Sequence, residues 1–329
     1  MSIVPDADET SPVVEIFAFS GHQILDVPES SRLHRVVLPV VGVTADGEAK
    51  ALGTAFCIAS SRPCVLVTAW HVVDRFIREN KSGLERGPAS IQIVLALGAS
   101  DDEKDLGRPI PVHRVVHHRG SKVSRGAEWL GPESQSESGF QSDIALLTLP
   151  LVQDAAGRDF CPDQIGIGFG LPDPSAWTYA FGYPGMRVRR IVDEQDNNVL
   201  DVQRVLRRSA GHVVRSSPNG DPEEPLVGPS FEADLAMPWG MSGGPVLADD
   251  QTVCAAVSLA LDPESPNGAW KSHAAGLAPA LDLPVHNEPG VGPLTLRELV
   301  DAGAVLALGD VPPASPQPPD AEVFIFDNL

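Results

Sequence analysis

Three things are scarce in this sequence: aromatic rings, cysteine and positive charge. Aromatic residues are 5% of the 329, while 43% are hydrophobic, so a sizeable core is to be built mainly from aliphatic side chains. The four cysteines, Cys57, Cys64, Cys161 and Cys254, are too few for a disulfide-dense scaffold and none has metal-ligand spacing. They are expected to be reduced thiols in a cytoplasmic protein, with a pairing of Cys57 and Cys64 across a hairpin left open by the sequence. Lys and Arg number 24 against 44 Asp and Glu, a net charge of −20. A surface this acidic repels phosphate, which argues against general nucleic-acid or anionic-membrane binding, and its plain meaning is solubility. No apolar run approaches the length of a membrane span. The opening "MSIVPDADETSP" has no basic region leading into an apolar stretch, so no secretory signal is expected.

What the chain has in quantity is punctuation: 30 glycines and 31 prolines. That composition suits many short strands and turns. Residues 1–32 read as an acidic N-terminal extension. From residue 33 to 150 the runs "RVVLPVVGVTADGEAKALGTAFCIA", "PCVLVTAWHVV", "ASIQIVLALG", "VHRVVHH" and "DIALLTLP" read as strands. The first of these turns at Ala45-Asp46-Gly47, and a polar loop at 120–142 precedes the last. Residues 151–175 read as a connector. Residues 176–285 repeat the pattern in "WTYAFGYPG", "VLRRSAGHVV", "FEADLAMPW", "GGPVLAD", "TVCAAVSLAL" and "HAAGLAPAL". Two successive sets of about six strands argue for two antiparallel barrels or sandwiches. Region 286–310 turns helical, with Thr295 and Glu298 at capping-box spacing and Leu296, Leu299 and Val300 on one face. Residues 311–329 are a proline-rich linker and an apolar tail, "AEVFIFDNL", expected to dock as an extra strand or in a hydrophobic groove. The basic island "RVLRRSAG" is expected on a solvated strand edge.

Three short stretches carry chemistry. "PWGMSGGPV" sets Ser242 among glycines. A serine hydroxyl needs a base to take its proton, and an acyl oxygen needs backbone N–H donors as its charge develops. Glycines let the backbone turn tightly and approach a substrate. Gly240 and Ser242 are therefore candidate oxyanion donors. "LVTAWHVV" ends a buried run at His71, a candidate general base, or more plainly a core histidine. "QSDIALLTL" opens an apolar strand with Asp143, which is costly to bury without a donor. An imidazole N–H is such a donor, although a strand-start aspartate is the plainer reading of Asp143 alone.

Taken together and in this order, "TAWH" (Thr68 to His71), "DIALL" (Asp143 to Leu147) and "GMSGGP" (Gly240 to Pro245) resemble the motifs of the trypsin/chymotrypsin-like serine peptidases. "FGYPG" resembles the start of the second barrel in bacterial members. The resemblance spans residues 35–285. It implies an all-β fold of two six-stranded antiparallel barrels, with the active site between them and a helix at the C-terminus. It implies a serine endopeptidase that cleaves protein or peptide substrates through an acyl-enzyme, with Ser242 as nucleophile, His71 as base and Asp143 as orienter. The alternative is a catalytically silent binding or scaffold protein on the same fold, since fold alone does not choose; an esterase of small substrates is a weaker third reading.

Two departures mark the variety of the family that is resembled. Secreted digestive members carry an aspartate before the nucleophile, which pairs with a newly cut N-terminus; here that residue is Met241. The cysteine that follows their histidine is Val72. Both point to a bacterial-type, regulated intracellular, HtrA-like protease domain, active without N-terminal cleavage; no PDZ domain is expected, because little chain follows residue 285. The resemblance leaves room for a regulatory protein partner beside the substrate. The resemblance also implies a specificity pocket: Ala236 and Met237 on one side, Ser258, Leu259 and Ala260 on another, and a third wall near Ala275 and Gly276. These are small or apolar, with Asp234 the nearest charge, so cleavage after small-to-medium apolar residues is expected. His34, His113, His117, His118, His212 and His273 lack ligand spacing, so neither metal nor cofactor is expected.

Overall fold

Apolar strands that are buried on one face only should alternate, yet "CVLVTA" and "IALLTL" do not. The reason is that Cys64–Ala69 and Ile144–Leu149 are buried at every position. Leu66, Ala145 and Leu147 face one hydrophobic cluster. Val65, Val67, Ile144 and Leu146 face another, shared with Leu277, Leu281 and Leu296 from the far end of the chain. The computed structural model describes residues 17–19, 22–60, 63–81, 90–95, 108–118, 142–150, 152–153, 159–160, 162–192, 198–220, 225–226, 228–261, 270–288, 292–316 and 319–326. Cys161 and the polar loop at 120–141 lie outside them.

The fold is all-β. In the first half, Val37–Val43 pairs antiparallel with Ala49–Ala59, then Cys64–Ala69, Ile144–Leu149 and Arg114–His118 follow in order. On its other side, Val37–Val43 pairs with Ser90–Leu95, which pairs with Arg108–Pro111. The two ends of this ladder are halves of one bent strand. At the bend the Val112 amide donates to the Ile91 carbonyl (2.7 Å) and the His113 amide to the Thr148 carbonyl (2.9 Å), which brings the ring round on itself. In the second half, Trp177–Gly182, Pro245–Ala248, Val253–Leu261, Lys271–Gly276, Ser230–Ala233 and Arg207–Ser217 form a ring closed by backbone pairing throughout. A closed ring leaves no strand edge unpaired.

Several expectations are corrected. "PCVLVTAWHVV" is not strand throughout, because a helix begins at Trp70 and runs to Lys81. Val72, Val73, Phe76 and Ile77 supply its buried stripe. Asp74 with Arg78, and Arg75 with Glu79, form its i,i+4 ion pairs. The N-terminal extension adds a hairpin, Phe17–Phe19 and His22–Asp26, whose second strand pairs with the start of Arg207–Ser217. Arg207 is therefore not on a solvated edge: it is buried, and its Nε donates to Asp26 at 2.9 Å. Two further hairpins were unforeseen, Arg187–Val192 with Asn198–Gln203 and Pro284–Glu288 with Gly292–Thr295. Cys64 is disulfide-bonded, whereas Cys57 and Cys254 are free and buried. The thiols are thus not all reduced, and Cys57 does not pair with Cys64.

At the C-terminus the capping box forms as read: Thr295 and Glu298 satisfy each other's backbone amides at the start of Leu296–Asp301. The tail docks as an extra strand, Ala321–Ile325 pairing antiparallel with Arg114–His118. Phe324 and Phe326 pack on the first-half cluster, while Val323 and Ile325 face outward at 41% and 56% exposure. Phe324 also stacks against Trp70 and His117, with ring centroids 5.9 Å away in each case.

Candidate active site

His71 occupies the first turn of the helix Trp70–Lys81, whose leading amides need acceptors from outside the helix. Asp143 supplies them. Its backbone carbonyl accepts from the Trp70 amide (2.9 Å), and its Oδ1 accepts from the His71 amide (3.0 Å). Its other oxygen, Oδ2, lies 2.8 Å from His71 Nδ1. One carboxylate therefore caps the helix and orients the imidazole. The side chain of Asp143 is only 3% exposed, against 22% for His71, so the pair is sealed on the Asp143 side and more open on the His71 side.

Ser258 completes the carboxylate's surroundings, its hydroxyl donating to Asp143 Oδ2. It can do so because the ladder between Val253–Leu261 and Lys271–Gly276 skips it: Val257 faces Ala274, Leu259 faces His273, and Ser258 is the bulged residue. A bulge frees a residue from pairing and re-aims its side chain. The Ser258 carbonyl faces the Ser242 loop and accepts from the Ser242 hydroxyl at 3.5 Å. Ser258 was expected to be a pocket wall. Its side chain instead goes to Asp143, so one residue from the second barrel touches both Ser242 and Asp143.

The glycines around Ser242 have a tighter reason than approach to a substrate. Gly240 and Gly243 have φ of +99° and +83°, the left-handed region that other residues rarely adopt. A Cβ on Gly243 would lie 2.1 Å from the Thr54 carbonyl oxygen and 2.2 Å from the Thr68 hydroxyl, both in the first barrel. On Gly244 it would lie 1.8 Å from the Phe181 carbonyl oxygen. The loop is wedged between the backbones of the two barrels. Met241 is fully buried in the second-barrel cluster alongside Met237. A buried, apolar place in that cluster suits methionine and would be costly for a lone carboxylate.

Other predicted pocket residues are partly gathered. Ala236 is buried in a small cluster with Ile24 and Trp270, against which Ala260 packs. Ala260 pairs with Ser272, whereas Ala275 and Gly276 pair farther along with Ala256 and Ala255. Leu259 is half-buried and packs on the large cluster between the two halves. Asp234 is engaged elsewhere, accepting from the His212 amide. Trp239 is 69% exposed, the most exposed large hydrophobic residue among those described.

Sequence reading missed Thr54. Its bonds run to Gly240, Ser242, Thr68 and Tyr183, and the one to Gly240 crosses 186 positions of sequence, beyond the reach of any local pattern. Among the described residues no group of His, Cys, Asp or Glu is placed to hold a metal ion, and no helix is long and apolar enough to cross a membrane.

No curated protein matches the sequence. Similar solved structures include the Rv3671c protease of M. tuberculosis H37Rv in an inactive form, at 15% identity and TM-score 0.39, covering 73% of this chain and 83% of that one. The MamO protease domain of Magnetospirillum magneticum is similar at 14% identity and TM-score 0.38, covering 75% and 94%. Neuropsin, a serine protease of mouse brain, is similar at 14% identity and TM-score 0.42, covering 76% and 91%. The family model of the trypsin-like peptidase domain matches residues 53–255. That match takes in His71, Asp143, Ser242 and more than half of the 329 residues, and the chain belongs to the trypsin-like peptidase family.

Proposed function

We propose that the protein is an active serine endopeptidase in which Ser242 is the nucleophile, His71 the general base and Asp143 the orienting carboxylate. The observation that carries this reading is the double engagement of Asp143 with His71, at the backbone amide and at Nδ1. With Nδ1–H committed to the carboxylate, Nε2 is left as the basic nitrogen. Nε2 takes the Ser242 proton as the hydroxyl oxygen attacks the substrate carbonyl carbon. The Gly240 and Ser242 amides receive the developing oxyanion. The imidazolium, stabilised by Asp143, then protonates the leaving amine, and an acyl-enzyme remains. Water, deprotonated by the same Nε2, releases the acid.

Substrate preference follows from the apolar surroundings of Ala236 and Ala260, which include Ile24 and Trp270, and from the engagement of Asp234 with His212. A guanidinium brought there would be desolvated without a partner, whereas an apolar side chain gains about 25 cal/mol per Å² buried. The preferred residue before the cut is small to medium and apolar, within a protein or peptide substrate, and exposed Trp239 offers substrate an aromatic face beside Gly240. Met241 forms no ion pair, so activity does not depend on a freshly cut N-terminus. A cytoplasmic site of action rests on reduced thiols; the Cys64 disulfide weakens that basis, because disulfides persist in oxidising compartments. A fluorophosphonate probe tests the activity directly. Wild type with its native N-terminus should label and Ser242→Ala should not; absence of label on the wild type would favour the silent scaffold reading.

A further inference from the structure

We propose that Thr54 is the positioning residue of the oxyanion loop, holding from the first barrel a backbone that Met241 cannot hold by charge. The inference rests on the peptidase reading of Ser242 and adds a group to it. Thr54 lies in the strand Ala49–Ala59, fully buried and opposite Pro39. Its polar atoms are directed at the nucleophile loop and its supports. The Thr54 amide donates to the Ser242 carbonyl (2.8 Å). The Thr54 hydroxyl donates to the Gly240 carbonyl (2.8 Å) and accepts from the Tyr183 amide (3.2 Å). The Thr54 carbonyl accepts from the Thr68 hydroxyl (2.7 Å).

The direction of the hydroxyl bond is forced. The Tyr183 amide can only donate, so it takes a lone pair of Thr54 Oγ1; the Gly240 carbonyl can only accept, so it takes the proton. Thr54 thus grips the carbonyls of Gly240 and Ser242, the two that bracket Met241. The amides proposed to receive the oxyanion belong to these same two residues. Anchoring both carbonyls restricts the backbone between them, and the plane of the Gly240 carbonyl meets that of the Gly240 amide at a single α-carbon, whose φ is +99°. Within its own barrel the loop is held by Met241 N to Pro238 O (3.1 Å), Gly243 N to Val257 O (2.7 Å) and Gly244 N to Met241 O (2.9 Å). None of those bonds takes the Gly240 carbonyl. The Met241 side chain adds only apolar packing, which is not directional. Tyr183, the third partner, is itself pinned across the barrels, its hydroxyl donating to the Val37 carbonyl at 2.7 Å.

The test compares Thr54→Val, which keeps the branched shape and loses the hydroxyl, with Thr54→Ser, which keeps the hydroxyl. Thr54→Ala is a second hydroxyl-free variant that adds no bulk, should valine prevent folding. Turnover of a peptide substrate is expressed per active site titrated with a fluorophosphonate. Removing one oxyanion donor outright typically lowers kcat about 10²- to 10³-fold; loss of its support should lower kcat by about 10- to 100-fold with KM little changed, and Thr54→Ser should restore it. A purely structural role would reduce the titrated fraction and leave kcat per site at the wild-type value, which would overturn the proposal. So would a serine variant as impaired as the valine one. The amide resonance of Gly240 in a ¹⁵N-labelled sample is read in parallel. It should move in Thr54→Val or Thr54→Ala and return in Thr54→Ser. If wild type neither labels nor turns over, the peptidase reading fails, and this resonance still decides whether Thr54 positions the loop.

Discussion

Replacing Gly243 by alanine tests whether the inter-barrel wedge, and not turn geometry alone, demands glycine beside Ser242. Three glycines separate the contributions. Gly170 has ordinary φ, and a methyl group added there would meet nothing within 4 Å, so Gly170→Ala should be neutral or gain about 0.4–1 kcal/mol by restricting the unfolded chain. Gly303 also has open space but a φ of +71°, so Gly303→Ala carries only the left-handed penalty of about 1–2 kcal/mol. Gly243 has a φ of +83° and a Cβ position 2.1 Å from the Thr54 carbonyl oxygen. That oxygen is backbone and cannot swing aside, so the loop or the strand must shift, at a typical overpacking cost of about 1–3 kcal/mol. The two contributions place Gly243→Ala at about 2–5 kcal/mol of lost stability. Urea denaturation of the three variants gives the values, with an unchanged slope required for the comparison. If Gly243→Ala loses no more than Gly303→Ala, the close approach of the barrels is not what excludes a side chain there, and the wedge argument is wrong.

Ser258→Ala removes the hydroxyl that Asp143 accepts; a hydrogen bond to a charged group is worth about 1.5–3 kcal/mol, so urea denaturation at neutral pH should show a loss of that size, and a loss below about 0.5 kcal/mol would refute the contact. Truncation after Pro319 removes the strand Ala321–Ile325 and uncovers the cluster beneath Phe324 and Phe326, so thermal unfolding should fall by several degrees, whereas Val323→Ala on the exposed side should change little. Burial pulls the affinity of His34, His118 and His273 for a proton below its ordinary value near 6.5. The unfolded chain then binds protons that the folded one refuses, so these groups' contribution to stability is full above about pH 6.5 and is lost as pH falls below it. His118→Gln, which can still donate to the Pro279 carbonyl that His118 Nε2 contacts at 2.8 Å, should flatten the fall in melting temperature between pH 7 and 5; an unchanged slope would remove His118 from the explanation.

The sequence by itself determined what is local or periodic. The strands between Val37 and Ala69, Trp177–Gly182 and those between Arg207 and Gly276 were legible because apolar runs bounded by turn residues have few other solutions. The capping box at Thr295 and Glu298 was legible because both partners lie within one turn of helix. His71, Asp143 and Ser242 could be picked out because each sits in a short stretch whose composition is unusual for its surroundings. The helix at Trp70 reads as strand in the sequence because its early residues, Val72 and Val73, continue an apolar run, and the acceptor that starts the helix is Asp143, 72 positions away. Only the tertiary structure decided that Ser258 serves Asp143, since a bulge is a property of two strands in register and not of one. Only it revealed Thr54, and why Gly243 must be glycine: the obstacle to a side chain is the backbone of another barrel, which no window of sequence around Ser242 contains. Hydrogen bonds and steric contacts act over a few ångströms of space whatever the separation along the chain, so the residues that hold this site become visible only once folding has brought them together.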